Sequence, residues 1–125
     1  MQITVAVDFD GTVVKHKYPA VGETVDGAVE TLKRIVEKGN RLILWTMRHG
    51  KELDDAVKWY EENDIPLFGI NSNPEQSSWT ESPKAYAQVY IDDAAIGCPM
   101  KFDGHMNWHV DWQRVAELLE LMKVI

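Results

Sequence analysis

The stretch ITVAVDFDGTV, residues 3–13, decides the fold of this chain. It opens on a short apolar run rich in β-branched residues, Ile3 to Val7, which predicts a strand buried in a parallel sheet. Two carboxylates follow at once, Asp8 and Asp10, and Gly11 allows a tight turn. In open parallel sheets, ligands bind beyond the carboxyl ends of the strands. The turn after this strand is therefore the first place to look for chemistry.

Strand-like and helix-like segments alternate along the rest of the chain. Short apolar runs indicate the strands, and apolar residues at helical spacing indicate the helices. The alternation predicts an α/β fold, a Rossmann-like parallel sheet with helices on both faces, in a single domain over residues 1–125. The expected order is a helix capped by Asp26 and ended at Gly39-Asn40, a strand 42–45, a helix 53–60, a strand 67–70, a polar loop 71–82, a strand 87–91, an irregular stretch to 109 and a helix capped by Asp111.

The composition narrows the classes of function. The 125 residues carry 13 basic and 20 acidic side chains, and the formal net charge of -7 repels a nucleic-acid backbone. Hydrophobic residues make up 45%, enough for a buried core, but no segment approaches the roughly 20 apolar residues of a membrane span. Cys98 is the single cysteine, so no intrachain disulfide can form. We therefore expect a cytoplasmic protein without membrane or nucleic-acid partners.

Polar residues flank the predicted strands at one edge of the sheet. Because the carboxyl ends of parallel strands share an edge, side chains placed directly after different strands lie near one another. An isolated Asp after a strand is usually a turn residue, but several such positions at one edge indicate a site. They are Asp8 and Asp10 after the first strand, Thr46 and Arg48 after the second, and Asp92 and Asp93 after the fourth. Lys84, just before the fourth strand, is expected to reach this edge.

These residues resemble the four motifs of the haloacid dehalogenase superfamily, in the order that the family has them. Residues 8–13, DFDGTV, look like the first and most specific motif. Thr46 resembles the second, Lys84 the third and the pair Asp92-Asp93 the fourth. The resemblance covers about residues 2–97 and implies a fold of the same type. The stretches between motifs leave no room for an inserted cap domain, so a capless phosphatase is expected.

The resemblance implies a magnesium-dependent phosphatase that hydrolyses phosphate monoesters through an aspartyl-phosphate intermediate. Asp8 would be the nucleophile, and Asp10 would protonate the leaving oxygen and later activate water. A dehalogenase needs no acid at the second position, so Asp10 favours phosphoryl transfer. Magnesium prefers carboxylates and water. The expected metal ligands are Asp8, Asp92 and the Asp10 backbone carbonyl, with Asp93 in the outer shell.

The remaining predicted site residues would bind the substrate. Thr46 and Lys84 would hold the phosphoryl oxygens, and Gly11 and Thr12 would form a turn whose N–H groups face the phosphate. Arg48 would contact the substrate, because its planar fork suits phosphate or carboxylate. The expected partner is a phosphorylated substrate, taken to be a small molecule.

Three other interpretations remain open. An Asp-x-Asp-Gly sequence also occurs in calcium loops, but aligning Gly11 puts Ala6 and Lys17 at ligand positions. A receiver-like phospho-acceptor signalling domain uses similar residues, although there the acidic pair comes first in the chain. A catalytically inactive phosphate-binding module would keep the same groups without turnover.

Exposed aromatic residues suggest self-association. A capless site gains from coverage by a large substrate or by a second subunit. The polar loop, which carries Trp79, and the stretch from His105 to Trp112 are the expected contact surfaces. The sequence therefore predicts a homo-oligomer whose subunits border one another's sites.

Overall fold

The computed structural model describes residues 1–104 and 107–125. Helices and short strands alternate through residue 91, and a hairpin and a last helix follow. The elements are β1 (Thr4–Val7), α1 (Ala28–Glu37), β2 (Arg41–Leu44), α2 (Gly50–Glu62), β3 (Gly69–Ile70), a 3-10 helix (Gln76–Ser78), β4 (Val89–Ile91), β5 (Met100–Phe102), β6 (Trp108–Val110) and α3 (Trp112–Leu121). Among these residues, no helix is long and apolar enough to cross a membrane.

The main sheet has four parallel strands in the order β3-β2-β1-β4. The strand at the start of the chain is central, with Val7 aligned to Leu44 on one side and to Ile91 on the other. All four residues of β1 are buried, as expected for a strand covered on both faces. The parallel α/β, Rossmann-like fold predicted from the sequence is confirmed.

The three α-helices contribute to one core on one face of the sheet. Each step from β1 to β2 and from β2 to β3 moves in the same direction, so right-handed crossovers put α1 and α2 on the same side. The apolar cluster there combines strand residues with residues of α1, α2 and α3. Its fully or nearly fully buried members include Val5, Leu44, Leu32, Tyr60 and Leu119.

The second face is covered by an irregular segment, residues 71–88, which connects β3 to β4. A smaller apolar cluster, in which Ala85 meets Ala6 and Ile43, lies there. The sequence predicted helices on both faces, but the helical content of this segment is one turn of 3-10 helix. The buried side chain of Gln76 organises the segment instead, because it donates to the carbonyls of Ser82 and Lys84 and accepts from the Tyr86 N–H.

One of two predicted helix caps agrees with the structure, while the other cap and one hairpin differ from the prediction. Asp111 caps α3 by accepting from the Arg114 N–H, as predicted. The N-cap residue of α1 is instead Gly27, whose φ of 86° suits glycine, so the prediction that Asp26 caps this helix is wrong. The stretch predicted to be irregular contains the antiparallel hairpin of β5 and β6, with Lys101 aligned to His109. Three-residue strands carry too little periodicity to be recognised in a sequence.

Candidate active site

Three carboxylates converge where two neighbouring strands of the sheet, β1 and β4, end. Asp8 follows β1, and Asp92 and Asp93 follow β4, its neighbour. Each of these residues offers a carboxylate oxygen within 4.8 Å of the others. Within the described part of the chain, the one ion-pair partner of this cluster is His16, whose Nε2 lies 2.9 Å from Asp93 Oδ2. The cluster therefore concentrates more negative charge than the chain neutralises.

The pKa of Asp8 reflects its burial first and that charge second. Burial raises the pKa of Asp8 to about 8, aided by a hydrogen bond with Asp93 and by the charges of Asp92 and Asp93, while a hydrogen bond from Thr12 opposes the rise. A carboxylate ordinarily titrates near pH 4. A cation bound between the carboxylates would offset the charges of Asp92 and Asp93, which add to the effect of burial, and oxygen ligands of this kind suit a hard divalent ion. The donor set thus fits a divalent metal.

The Thr12 hydroxyl joins the two halves of the cluster. Its Oγ1 donates to Asp8 Oδ2 at 2.8 Å and accepts from the Asp93 N–H at 3.1 Å. The backbone of the same turn is fixed from the end of the chain, since Trp112 Nε1 donates to the Thr12 carbonyl at 2.7 Å and the Val110 N–H donates to the Gly11 carbonyl at 3.0 Å. Trp112 is fully buried. The turn after β1 is therefore held by β6 and α3, which sequence reasoning did not connect to the site.

Gly11 is required by close packing as well as by backbone conformation. Its φ is +80°, and a Cβ at this position would lie 2.2 Å from His16 Nε2 and 2.4 Å from Asp93 Oδ2. The N–H of Gly11 donates to the Val14 carbonyl, and the N–H of Thr12 donates to the Phe9 carbonyl. The two amides predicted to face a phosphate are thus used inside the turn. What Gly11 provides here is room for the ion pair between His16 and Asp93.

Asp10 is held by Arg48 through both carboxylate oxygens. The guanidinium Nε donates to Asp10 Oδ2 at 2.8 Å and Nη2 donates to Oδ1 at 2.7 Å. The remaining donors of Arg48 bind the carbonyls of Pro19, Ala20 and Glu52. Arg48 is 2% exposed. The sequence predicted a substrate contact, but a buried guanidinium whose donors are all engaged within the chain has none to offer a ligand, so the structure gives Arg48 an internal role.

Thr46 and Asn71 complete the edge of the site. The Thr46 hydroxyl accepts from the Arg48 N–H at 3.1 Å, and the Thr46 N–H donates to Asn71 Oδ1 at 2.8 Å. Asn71 follows β3 just as Thr46 follows β2, so the rule that finds polar residues at strand ends would have found it too. Two cavities of about 440 and 330 Å³ share this edge, and Asp8, Thr46, Met47 and Asp92 line both.

Lys84 approaches the site from the exposed segment. Its ammonium lies 5.5 Å from the centroid of the Tyr90 ring, and Tyr90 is two residues before Asp92 on β4. Lys84 is nevertheless not among the described residues that line either cavity beside Asp8.

The structure exposes two aromatic pairs in the surfaces predicted for self-association. Trp79 stacks edge-on against Tyr86, and Trp108 lies against Phe102, with ring centroids 5.3 and 4.9 Å apart. All four rings are exposed. Within the predicted stretch from residue 105, Trp112 belongs to the core, while His105 lies outside the described residues.

Comparison with known proteins identifies a relative. No family model and no curated protein match the chain. A solved structure, that of a conserved protein coded by a locus of Bacteroides thetaiotaomicron, matches 98% of this chain and 93% of that chain, at 36% sequence identity and a TM-score of 0.80. This chain belongs to the same family as that protein. Its description names no activity, so the function has to be argued from the site.

Proposed function

We propose that the chain is a capless, magnesium-dependent phosphatase of the haloacid dehalogenase superfamily, hydrolysing phosphate monoesters through an aspartyl-phosphate. The observation that carries the proposal is the setting of Asp8. Its carboxylate stands at the end of the central strand, fixed by the Thr12 hydroxyl, in cavities that Thr46 and Asp92 share. A nucleophile, a phosphate-binding hydroxyl and a cation-binding carboxylate are the groups that phosphoryl transfer to a protein side chain requires.

Asp8 would attack phosphorus while Asp10 serves the leaving group. Thr12 donates to Asp8 Oδ2, and we assign the attack to the other oxygen, Oδ1. As the bond from Asp8 to phosphorus forms and the ester P–O bond breaks, Asp10 gives its proton to the leaving oxygen. Asp10 then takes a proton from the water that attacks the aspartyl-phosphate, which releases inorganic phosphate and restores Asp8. Asp10 lines the same 440 Å³ cavity as Asp8.

The acidic cluster is suited to magnesium. Carboxylates of Asp8 and Asp92 and the Asp10 backbone carbonyl would hold the ion, with Asp93 joining directly or through water, since its Oδ2 already pairs with His16. Bound there, magnesium would neutralise charge on the phosphoryl oxygens and hold them beside the nucleophile.

Thr46 and Lys84 would bind the phosphoryl oxygens. Thr46 offers a hydroxyl from the edge of both cavities, and Lys84 offers a flexible ammonium from the exposed segment. The Gly11-Thr12 turn contributes by fixing Asp8. Such donors act where charge spreads in the transition state.

The connections between the strands support a capless enzyme. Between Thr12 and Thr46 the chain forms a β-bridge of Val14 with Thr24, then α1 and β2. Between Thr46 and Lys84 it forms α2, β3 and one 3-10 turn. Neither stretch contains a further folded unit that covers the cavity. We propose small phosphorylated molecules as substrates, a cytoplasmic location, and a homo-oligomer that covers the site from a neighbouring subunit.

The test is phosphate release from a panel of sugar, nucleotide and aryl phosphates with magnesium. Wild-type protein should turn over many times, and Asp8→Asn should lose at least about 10³-fold, because an amide cannot become the acyl phosphate. Asp54→Asn, an exposed position on α2, is the matched control and should keep full activity. Mass spectrometry of acid-quenched wild-type protein should find phosphate on Asp8.

The same experiment separates the other interpretations. A receiver-like domain would acquire one phosphoryl group from a small phosphodonor without multiple turnover. An inactive module would bind phosphate, with Asp8 never modified. Full activity of Asp8→Asn would overturn the assignment of the nucleophile.

A further inference from the structure

Arg48 makes an unusually complete set of contacts for a residue beside a reactive centre. Its five N–H donors bind five acceptor oxygens at 2.7–3.2 Å, two of them on Asp10. Its side chain is 1% exposed, and that of Asp10 is 17% exposed. The guanidinium also stacks near Phe9 and Tyr18, with centroid distances of 5.2 Å to both rings. Packing and hydrogen bonds thus leave Arg48 no alternative position.

Through Arg48, this network joins two parts of the chain to the Asp10 carboxylate. The carbonyls of Pro19 and Ala20 belong to the loop before α1, and the carbonyl of Glu52 belongs to the first turn of α2. A bidentate guanidinium fixes the plane of a carboxylate as well as its distance. Each carboxylate oxygen has two lone pairs, and Arg48 uses one on each. The second lone pair of each oxygen is not used by Arg48, and Asp10 lines the same 440 Å³ cavity as Asp8.

We infer that Arg48 is a positioning residue, which fixes the Asp10 carboxyl group in the orientation needed to pass a proton to the leaving oxygen. The inference rests on the proposed phosphatase function. Lysine would keep the positive charge but not the planar fork, so Arg48→Lys separates orientation from charge. A small error in the placement of a reacting group is costly, since a displacement of about 1 Å can lower a rate about 10²-fold.

The test compares two phosphate esters whose leaving groups differ in basicity. In the first step, the bond between phosphorus and the ester oxygen breaks, and that oxygen needs a proton in proportion to its basicity. A nitrophenyl phosphate has a stable leaving anion and needs little help, whereas an alkyl phosphate needs a proton from Asp10. The ratio kcat/KM covers substrate binding and this step, and it excludes the later hydrolysis of the aspartyl-phosphate.

We expect Arg48→Lys to lower kcat/KM for the alkyl ester about tenfold or more, and for the nitrophenyl ester less than about threefold, within the range that general acids contribute. Asp10→Asn should show the same selectivity with a larger loss. In the double variant the two losses should not multiply, because Arg48 would act only through Asp10.

Arg41→Lys is the matched control. Arg41 opens β2, the strand that Arg48 follows, where it pairs with Glu75 and covers the Phe68 ring. Arg41→Lys should leave kcat/KM unchanged for both esters. Thermal unfolding should confirm that Arg41→Lys and Arg48→Lys are both folded. Equal losses on the two esters in folded Arg48→Lys would overturn the positioning role and leave the phosphatase assignment intact. Wild-type protein that hydrolysed neither ester would overturn the proposed function, and the inference with it.

Discussion

The turn at residues 8–12 and the segment at residues 71–88 both serve the candidate site, but they are held in different ways. The turn is fixed by partners distant in sequence: Arg48, Asp93, Val110 and Trp112 all bond to it. The segment is fixed mainly by its own residues, through the amide side chains of Asn73 and Gln76. Under the proposed phosphatase function, we expect the turn to carry the chemistry and the segment to supply additional contacts to substrate.

Removing the metal should abolish the activity that depends on the turn at residues 8–12, without affecting segment 71–88. The expected carboxylate ligands, Asp8 and Asp92, lie at the ends of β1 and β4, outside residues 71–88. We expect EDTA to lower phosphatase activity more than about 10²-fold, with recovery on adding magnesium, because the reaction depends on charge neutralisation. Asp92→Ala should need much more magnesium for half-maximal activity. Activity that survived exhaustive chelation would exclude the metal role, and Asp54→Asn should behave as wild type.

The pH dependence of the free energy of unfolding should also distinguish the turn, which carries Asp8, from segment 71–88. In the folded, metal-free protein the pKa of Asp8 is raised to about 8, above its ordinary value near 4. The folded state therefore binds more protons than the unfolded state between those values, and the free energy of unfolding falls as pH rises from about 4 to about 8.

We expect this loss to be on the order of a few kcal/mol, measured by urea unfolding in EDTA at pH 5 and pH 8. Asp8→Asn should remove most of the dependence and should be more stable than wild type at pH 8. Magnesium should restore wild-type stability at pH 8, since it compensates the ionised carboxylates. A wild-type profile that stayed flat would mean that the cluster carries no excess charge.

Some of this architecture could be predicted from the sequence because it is local. The run from Ile3 to Val7 is apolar throughout and is followed at once by Asp8, so the buried strand and its acidic end were predicted together. Parallel pairing then brings Asp92 beside Asp8, through the register of Val7 with Ile91. The arrangement of these residues at one edge needed only the alternation of strands and helices.

What could not be predicted depends on long-range geometry. Nothing near Arg48 in the sequence indicates that its guanidinium is buried on Asp10, 38 residues away. The same is true of Trp112, which bonds to Thr12 across 100 residues. Segment 71–88 lacks any periodicity, so the sequence did not show that Gln76 would replace a helix as its organising element.

The smallest expected effect concerns Lys84, which tests whether the exposed segment takes part at all. We expect Lys84→Met to lower kcat/KM about tenfold, less than a rigid oxyanion donor contributes, because an exposed ammonium must lose side-chain entropy to bind phosphate. Gln76→Ala removes the bonds to the carbonyls of Ser82 and Lys84. It should therefore lower kcat/KM in the same direction by a smaller factor, and should add nothing to Lys84→Met if both act through the ammonium.

Gln113→Ala, an exposed position on α3, is the control for this last pair. Steady-state kinetics on one sugar phosphate and one aryl phosphate would be measured for the wild type, the two single variants, their double variant and Gln113→Ala. If Lys84→Met kept wild-type kinetics, the Lys84 ammonium would have no role in the site. Phosphate binding would then depend on the turn and the strand ends alone. A loss as large as that of Asp92→Ala would mean the reverse: on binding substrate, segment 71–88 would close over the cavity and become as fixed as the turn. Either result would show whether Lys84, and the segment that carries it, takes part in binding the phosphate.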